Sequence, residues 1–179
     1  MSSAKTLLTA DELEQMPDVD SVLTELDEGE LIEMPPAGRR HGRTEIRIAT
    51  ILETFTRSNK LGLVYASDTG FRLTDDTVRA PDVSFVRQSR IQGGDGYYQG
   101  APDLAVEIYS PSDRVRQLMR KVKQYFAAGT HTIWIVYPET REVQILEATG
   151  TDRLLTGDDL LEATELLPGF SVPIAEFFD

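Results

Sequence analysis

Apolar and polar positions change their spacing several times along the chain, and each change marks an element. Thr9-Ala-Asp-Glu12 has the capping-box pattern, which predicts a short helix stopped by Pro17. In VLTELDEGELIEM the apolar segments flank Asp27-Glu28-Gly29, which predicts a hairpin, ended by Pro35-Pro36-Ala37-Gly38. From about His41 to Asn59, Ile46, Ala49, Leu52 (or Ile51) and Phe55 recur at helical spacing, and Leu61-Gly62 closes that helix. Three strand-like runs follow: LVYASDTGFRL, with a bend at Gly70, then APDVSFV, then PDLAVEIY. Between the last two, the four glycines of IQGGDGYYQG predict a mobile loop. Ser112 or Asp113 caps a second helix that runs to Ala128 and ends at Gly129. HTIWIVY and REVQILEA flank Pro138-Glu-Thr as a second hairpin, and the tail holds Leu-Leu-Pro-Gly-Phe and a short apolar segment.

Composition narrows the class. A chain of 179 residues with no repeat, low-complexity tract or linker fits one mixed α/β domain spanning residues 1–179. The absence of cysteine excludes disulfides, thiolate metal sites and cysteine nucleophiles. The first residues lack the pattern of a signal peptide, and no run is apolar enough to span a membrane, so a cytoplasmic location is the expectation. The net charge of −12 argues against nucleic acid until it is divided along the chain. Residues 1–33 carry ten acids against Lys5, and residues 142–179 carry nine against Arg153, which leaves the centre at +5. Fields are screened over about 8 Å in physiological salt, so acidic flanks around a basic centre permit a nucleic-acid surface.

Alternation in PDLAVEIY places Leu104, Val106 and Ile108 on one face and Ala105, Glu107 and Tyr109 on the other. A glutamate amid apolar residues of a central strand needs a partner, a metal or a raised pKa. Asp82 shares its face with Ser84 while Val83 and Phe85 point away, so if the two strands are neighbours both carboxylates meet near a sheet end. Two convergent carboxylates suit Mg²⁺ or Mn²⁺. Asp103, roughly 13 Å from Glu107 along an extended strand, is too far to share that ion and is read as a strand start. In RVRQLMRKVK, Val115, Leu118, Met119 and Val122 continue through Tyr125 and Phe126 as an apolar stripe, flanked on opposite sides by Lys121 and Lys123. Either lysine can snorkel toward the carboxylates, and periodicity does not choose between them.

The ordered set ELDEGELIEMPP, HG opening a helix, TGFRL, APDVSFV, APDLAVEIYSPSD, K-x-x-x-Y-x-x-A-G and a Trp-bearing strand ending in Pro-Glu-Thr-Arg resembles the Uma-type restriction endonuclease family of the PD-(D/E)XK nuclease superfamily. The likeness runs from about Glu12 to Phe178. It implies an α/β (α+β) fold with a restriction-endonuclease-like core: a central mixed sheet flanked by helices, here with an extra N-terminal helix and hairpin. It implies a bacterial nuclease whose acids are Asp82 and Glu107, the two metal ligands, and whose lysine is Lys121, ahead of Tyr125. His41 matches the helix-opening histidine and Glu30 the glutamate after the hairpin glycine, both as accessory residues. Tyr109 stands where the superfamily's E-x-K pattern has lysine, which marks either displacement of the lysine to the next helix or loss of catalysis. A homodimer is a further expectation from the likeness, since cutting two strands uses two active sites.

The resulting expectation is Mg²⁺- or Mn²⁺-dependent hydrolysis of DNA phosphodiesters, with Arg39, Arg40, Arg43, Arg47, Arg114, Arg116 and Arg120 available to flanking phosphates. Two other classes stand beside it: a catalytically degenerate nuclease fold that binds nucleic acid or dimerises, and an acidic interaction protein that repels DNA. A histidine-based site has only His41 and His131 to draw on. Ser110 and Ser112 have no evident histidine partner, and GGDG lacks the lysine of a phosphate-binding loop.

Overall fold

The computed structural model describes residues 7–16, 23–110 and 114–178; the expected helix stop at Pro17 and the caps at Ser112 and Asp113 lie outside them. Helix α1 (Ala10–Glu14) opens with the reciprocal Thr9–Glu12 capping box. The hairpin follows as β1 (Leu23–Asp27) and β2 (Glu30–Met34), then α2 (Arg39–Asn59). Next come β3 (Gly62–Ala66), β4 (Phe71–Thr74), β5 (Thr77–Arg79), β6 (Val83–Arg87), β7 (Tyr98–Gln99) and β8 (Leu104–Ile108). Helix α3 (Val115–Ala127) leads to β9 (Thr132–Tyr137) and β10 (Glu142–Glu147). The chain closes through β11 (Asp152–Thr156), β12 (Leu160–Glu162), β13 (Ser171–Pro173) and a 3₁₀ turn at Ile174–Phe177.

Six strands form the central sheet, in the order β11-β10-β9-β8-β6-β3, and only β8 and β9 run parallel. A parallel pair needs a long crossover, and α3 supplies it. One face of the sheet buries Val83, Phe85, Leu104, Val106 and Trp134 against Ile48 and Leu52 of α2 and against Phe170, Ile174 and Phe177 of the C-terminal segment. The other face buries Ala105, Ile133 and Ile135 against Val122 and Tyr125 of α3. A second sheet, β2-β1-β5-β4-β7, joins this face through Phe71 and Tyr98 packed on Val86, and α1 covers it through Ala10 and Leu13 on Leu26 and Val78. The mixed-sheet α+β class is therefore as expected.

Local expectations needed several corrections. LVYASDTGFRL is two strands in different sheets, β3 and β4, rather than one bent run. The polar TDDTVR segment holds β5, and the glycine-rich loop holds β7, whose parallel bonds to β4 need no side-chain pattern. The tail likewise contains β11 to β13. On α2 the buried stripe is Thr44, Ile48, Leu52 and Thr56, while Ile46 is 56% exposed. Two threonines line the helix–sheet seam; Leu52 is buried and Ala49, Ile51 and Phe55 pack beside it as expected, so the apolar periodicity erred at Ile46 and missed Thr44, Ile48 and Thr56. Lys60, left-handed at φ 54, caps the helix. Gly62 instead opens β3, where a Cβ would meet the Val86 carbonyl oxygen at 2.0 Å.

Asp103 stands immediately before β8 and is buried, away from Glu107 at the other end of the strand. Its Oδ2 accepts the Arg87 N–H at 2.9 Å, while Oδ1 lies 3.0 Å from Arg90 and 3.3 Å from Arg87 Nε. This clasp fixes the entry to the central strand. Asp103→Ala should lower unfolding stability by about 1–3 kcal/mol, read as a shift in the urea midpoint with the slope unchanged.

Candidate active site

Asp82 and Glu107 come together by register. β6 and β8 are antiparallel neighbours with Ser84 opposite Ala105 and Val83 opposite Val106, so the next step of the ladder brings Asp82 to Glu107. Asp82 Oδ2 accepts the Ile108 N–H at 2.6 Å, which closes the sheet end. Alternation turns Glu107, with Ala105, toward α3.

Lys121 and Tyr125 lie four residues apart on one face of α3 and meet that carboxylate. Lys121 Nζ is 3.3 Å from Glu107 Oε2, and the Tyr125 hydroxyl donates to Glu107 Oε1 at 2.7 Å. Lys121 is 15% exposed, whereas Lys123 faces solvent. The wide stripe expected on α3 is narrower than its pattern: Val122 and Tyr125 are buried, but Val115 is 60% and Met119 41% exposed. The roll of the helix on the sheet is what separates the two lysines.

The hairpin adds a residue that sequence reasoning missed. Glu25 of β1 is 1% exposed and places Oε1 at 2.9 Å from Lys121 Nζ. Nothing in TELDEGE distinguishes Glu25 from its neighbours except alternation with Leu26. Glu30 opens β2 opposite Asp27 at the turn, and the hairpin carboxylate seen beside the lysine is Glu25.

From the other face, α2 contributes His41 and Glu45, one turn apart. His41 Nε2 is 3.3 Å from Asp82 Oδ2, and Nδ1 is 3.8 Å from Glu45 Oε2. One ligand atom from each of His41, Glu45 and Asp82 falls within 4.8 Å of the others, a group able to hold a divalent cation. Glu45 was not anticipated, although its i+4 spacing from His41 was readable. His131 is elsewhere, 3.5 Å from Glu165.

Arg39 and Arg43 on the first turns of α2, and Arg114 and Arg116 at the start of α3, are exposed. Arg40 lies 3.6 Å from an exposed Glu139, and Arg47 donates to the Glu176 carbonyl. Arg120 is committed to the hairpin, at 3.1 Å from Asp27 and 2.9 Å from Glu28.

Electrostatics set these groups apart from ordinary surface charges. Burial pushes the Glu107 carboxyl up to about 7; Lys121 and the Tyr125 hydroxyl pull it down, while Asp82 and Glu25 push it further up. Burial opposes the charge on Lys121, but Glu107 and Glu25 outweigh it and hold the ammonium above the usual lysine range. Burial, with the nearby Glu107 and Glu25, holds the Tyr125 phenol well above its usual range, so it stays a neutral donor. Burial also raises Glu45, against a hydrogen bond from Ser67. Carboxylates, an imidazole and a protonated lysine thus converge on the sheet end. Carboxylate oxygens with one imidazole beside them suit a divalent cation.

No curated protein matches the chain. Among solved structures, the crystal structure of "a putative nuclease belonging to DUF820 from Anabaena variabilis" superposes with a TM-score of 0.82, at 20% identity, over 96% of this chain and 97% of that one. That likeness establishes a shared fold. The Uma2 family, described as "Putative restriction endonuclease", matches residues 10–175. The ordered motifs, the central sheet and the match over nearly the whole length lead to one assignment: the chain belongs to the Uma2 family.

Proposed function

We propose that this protein is a divalent-metal-dependent endonuclease that hydrolyses phosphodiester bonds of DNA at the Asp82–Glu107 sheet end. The observation that carries the proposal is the convergence of Asp82, Glu107 and Lys121 from β6, β8 and α3, with Lys121 Nζ 3.3 Å from Glu107. Asp82 and Glu107 would hold the ion, with His41 and Glu45 beside Asp82. When bound, such an ion polarises the phosphate and acidifies the attacking water.

The chain's own groups account for the rest. Lys121 is kept protonated by two carboxylates, so it acts as a fixed cation that orients water and offsets charge on the transition state rather than as a base. Tyr125 holds the Glu107 carboxylate in orientation. In the net reaction the water oxygen bonds to phosphorus, the phosphorus–oxygen bond to the leaving strand breaks, and the leaving oxygen gains a proton. Arg39, Arg43, Arg114 and Arg116, exposed at the starts of the two helices, are free of the structural commitment that occupies Arg120 and suit contacts with flanking phosphates.

Purified protein should cut DNA with Mg²⁺ or Mn²⁺ and not with EDTA. Asp82→Ala, Glu107→Ala and Lys121→Ala should each lose about 10²–10³-fold in rate with unchanged circular dichroism, while Lys123→Ala stays near wild type. Cutting unaffected by Asp82→Ala or Glu107→Ala refutes this site. Absence of both cutting and Mn²⁺ binding favours a nucleic-acid-binding module on the same fold.

Burial holds the Glu107 carboxyl up at about 7, so below that pH a proton competes with Lys121 and with a cation for it; the stability this raised value contributes, full below about 4.5, is lost as the pH rises through 7. A cation needs the carboxylate. Mn²⁺ affinity measured by calorimetry should therefore fall by about tenfold per pH unit below 7, and Glu107→Gln should bind weakly at every pH.

A further inference from the structure

The N-terminal hairpin lies outside the central sheet, yet it sends a buried carboxylate into the site. We propose that Glu25 is a positioning residue for Lys121: the hairpin holds the lysine ammonium in place whether or not Glu107 is occupied by a cation. The catalytic side of this proposal rests on the endonuclease reading; the positional side does not.

The two contacts of Lys121 are unequal, 2.9 Å to Glu25 and 3.3 Å to Glu107. The two carboxylates also differ in what else they do. Glu25 Oε1 accepts the Ala80 N–H at 3.0 Å as well as facing Lys121, and Oε2 accepts from Arg79 at 2.9 Å. Both oxygens thus already hold a backbone amide and two cations, which ties Glu25 to the lysine and arginine. Arg79, only 4% exposed, is itself clamped: Gln124 Oε1 accepts its Nε and Nη2 at 2.9 and 2.6 Å, and Asp27 Oδ1 lies 2.7 Å from Nη2. Gln124 closes the ring by donating to Asp27 at 2.8 Å. β1, β5 and α3 are in this way tied around one lysine.

The consequence is electrostatic. A cation arriving at Glu107 competes with Lys121 for the same carboxylate and repels the ammonium. With Glu107 as its sole partner, the lysine would then be left buried and unpaired, at a cost that drives it out of the site. Glu25 removes that conflict, because its charge stays with the lysine while Glu107 turns to the ion. The lysine can then stand next to the cation without being expelled.

The test uses the full chain, with lysine Nζ labelled by ¹⁵N and the Lys121 ammonium signal assigned through Lys121→Arg. Ammonium protons are seen only when an ion pair shields them from exchange. The signal should be present in wild type and in Glu107→Gln and lost in Glu25→Gln; loss in Glu107→Gln with retention in Glu25→Gln overturns the proposal. If Glu25→Gln does not fold, Glu25→Asp takes its place: a weakened signal there supports the proposal, and an unchanged one overturns it. Cleavage kinetics give the second arm. Glu25→Gln should lower kcat by about 10- to 100-fold with KM unchanged, and the Glu25→Gln/Lys121→Gln double variant should be no slower than Lys121→Gln alone. Additive losses would mean a general structural role and overturn it. If wild-type protein cuts no DNA, the endonuclease reading fails while the ammonium spectra still decide whether Glu25 holds Lys121.

Discussion

A lysine buried between two glutamates is the constraint around which this molecule is arranged. Removing an ammonium from water is costly unless anions surround it closely. Lys121 meets that condition with Glu25 on one side and Glu107 on the other. The two acids come from different sheets, and the lysine comes from the helix that connects β8 to β9. Satisfying the charge therefore fixes how the small sheet, the central sheet and α3 sit against one another. The Arg79, Asp27 and Gln124 contacts extend the same compensation outward, so the polar cluster serves as the seam between the layers.

Asp82 occupies the complementary position. It stands immediately before β6, where the α2 layer and the α3 layer meet, with His41 reaching it from one face and Glu107 turned toward the other. Its hydrogen bond from Ile108 N–H holds it to the neighbouring strand. The two helices thereby bring unlike chemistry to one sheet end: α2 a histidine and a glutamate suited to a cation, α3 a cation and a phenol suited to orienting an anion. Exposed arginines at the start of both helices account for a basic centre in a chain whose net charge is −12.

The parts of the molecule readable from sequence were those with a strong local cause. The Thr9–Glu12 capping box, the turn at Glu28-Gly29, the helix of residues 39–59 and the β9–β10 hairpin all have short-range physics behind them. β5 and β7 did not: β5 is a three-residue polar strand with no apolar alternation, and β7 is held by β4, distant in the chain. Ile46 and Thr44 show the same limit within a helix. Which residues at the edge of a face are buried depends on the surface that covers them, so the apolar pattern included the exposed Ile46 and missed the buried Thr44.

Within the site, the sequence by itself determined that Asp82 shares a face with Ser84 and Glu107 with Ala105, since strand alternation has a period of two; the pairing of β6 with β8 made those faces one. The sequence also confined the lysine to one flank or the other of α3. Tertiary structure alone decided the rest: that Lys121 and not Lys123 turns inward, that Glu25 of the hairpin meets it, and that Glu45 joins His41 beside Asp82. The reason is the range of the forces concerned. Alternation and helical spacing act between neighbours in the chain, whereas compensation of a buried charge depends on which groups the packed layers bring within about 3–4 Å.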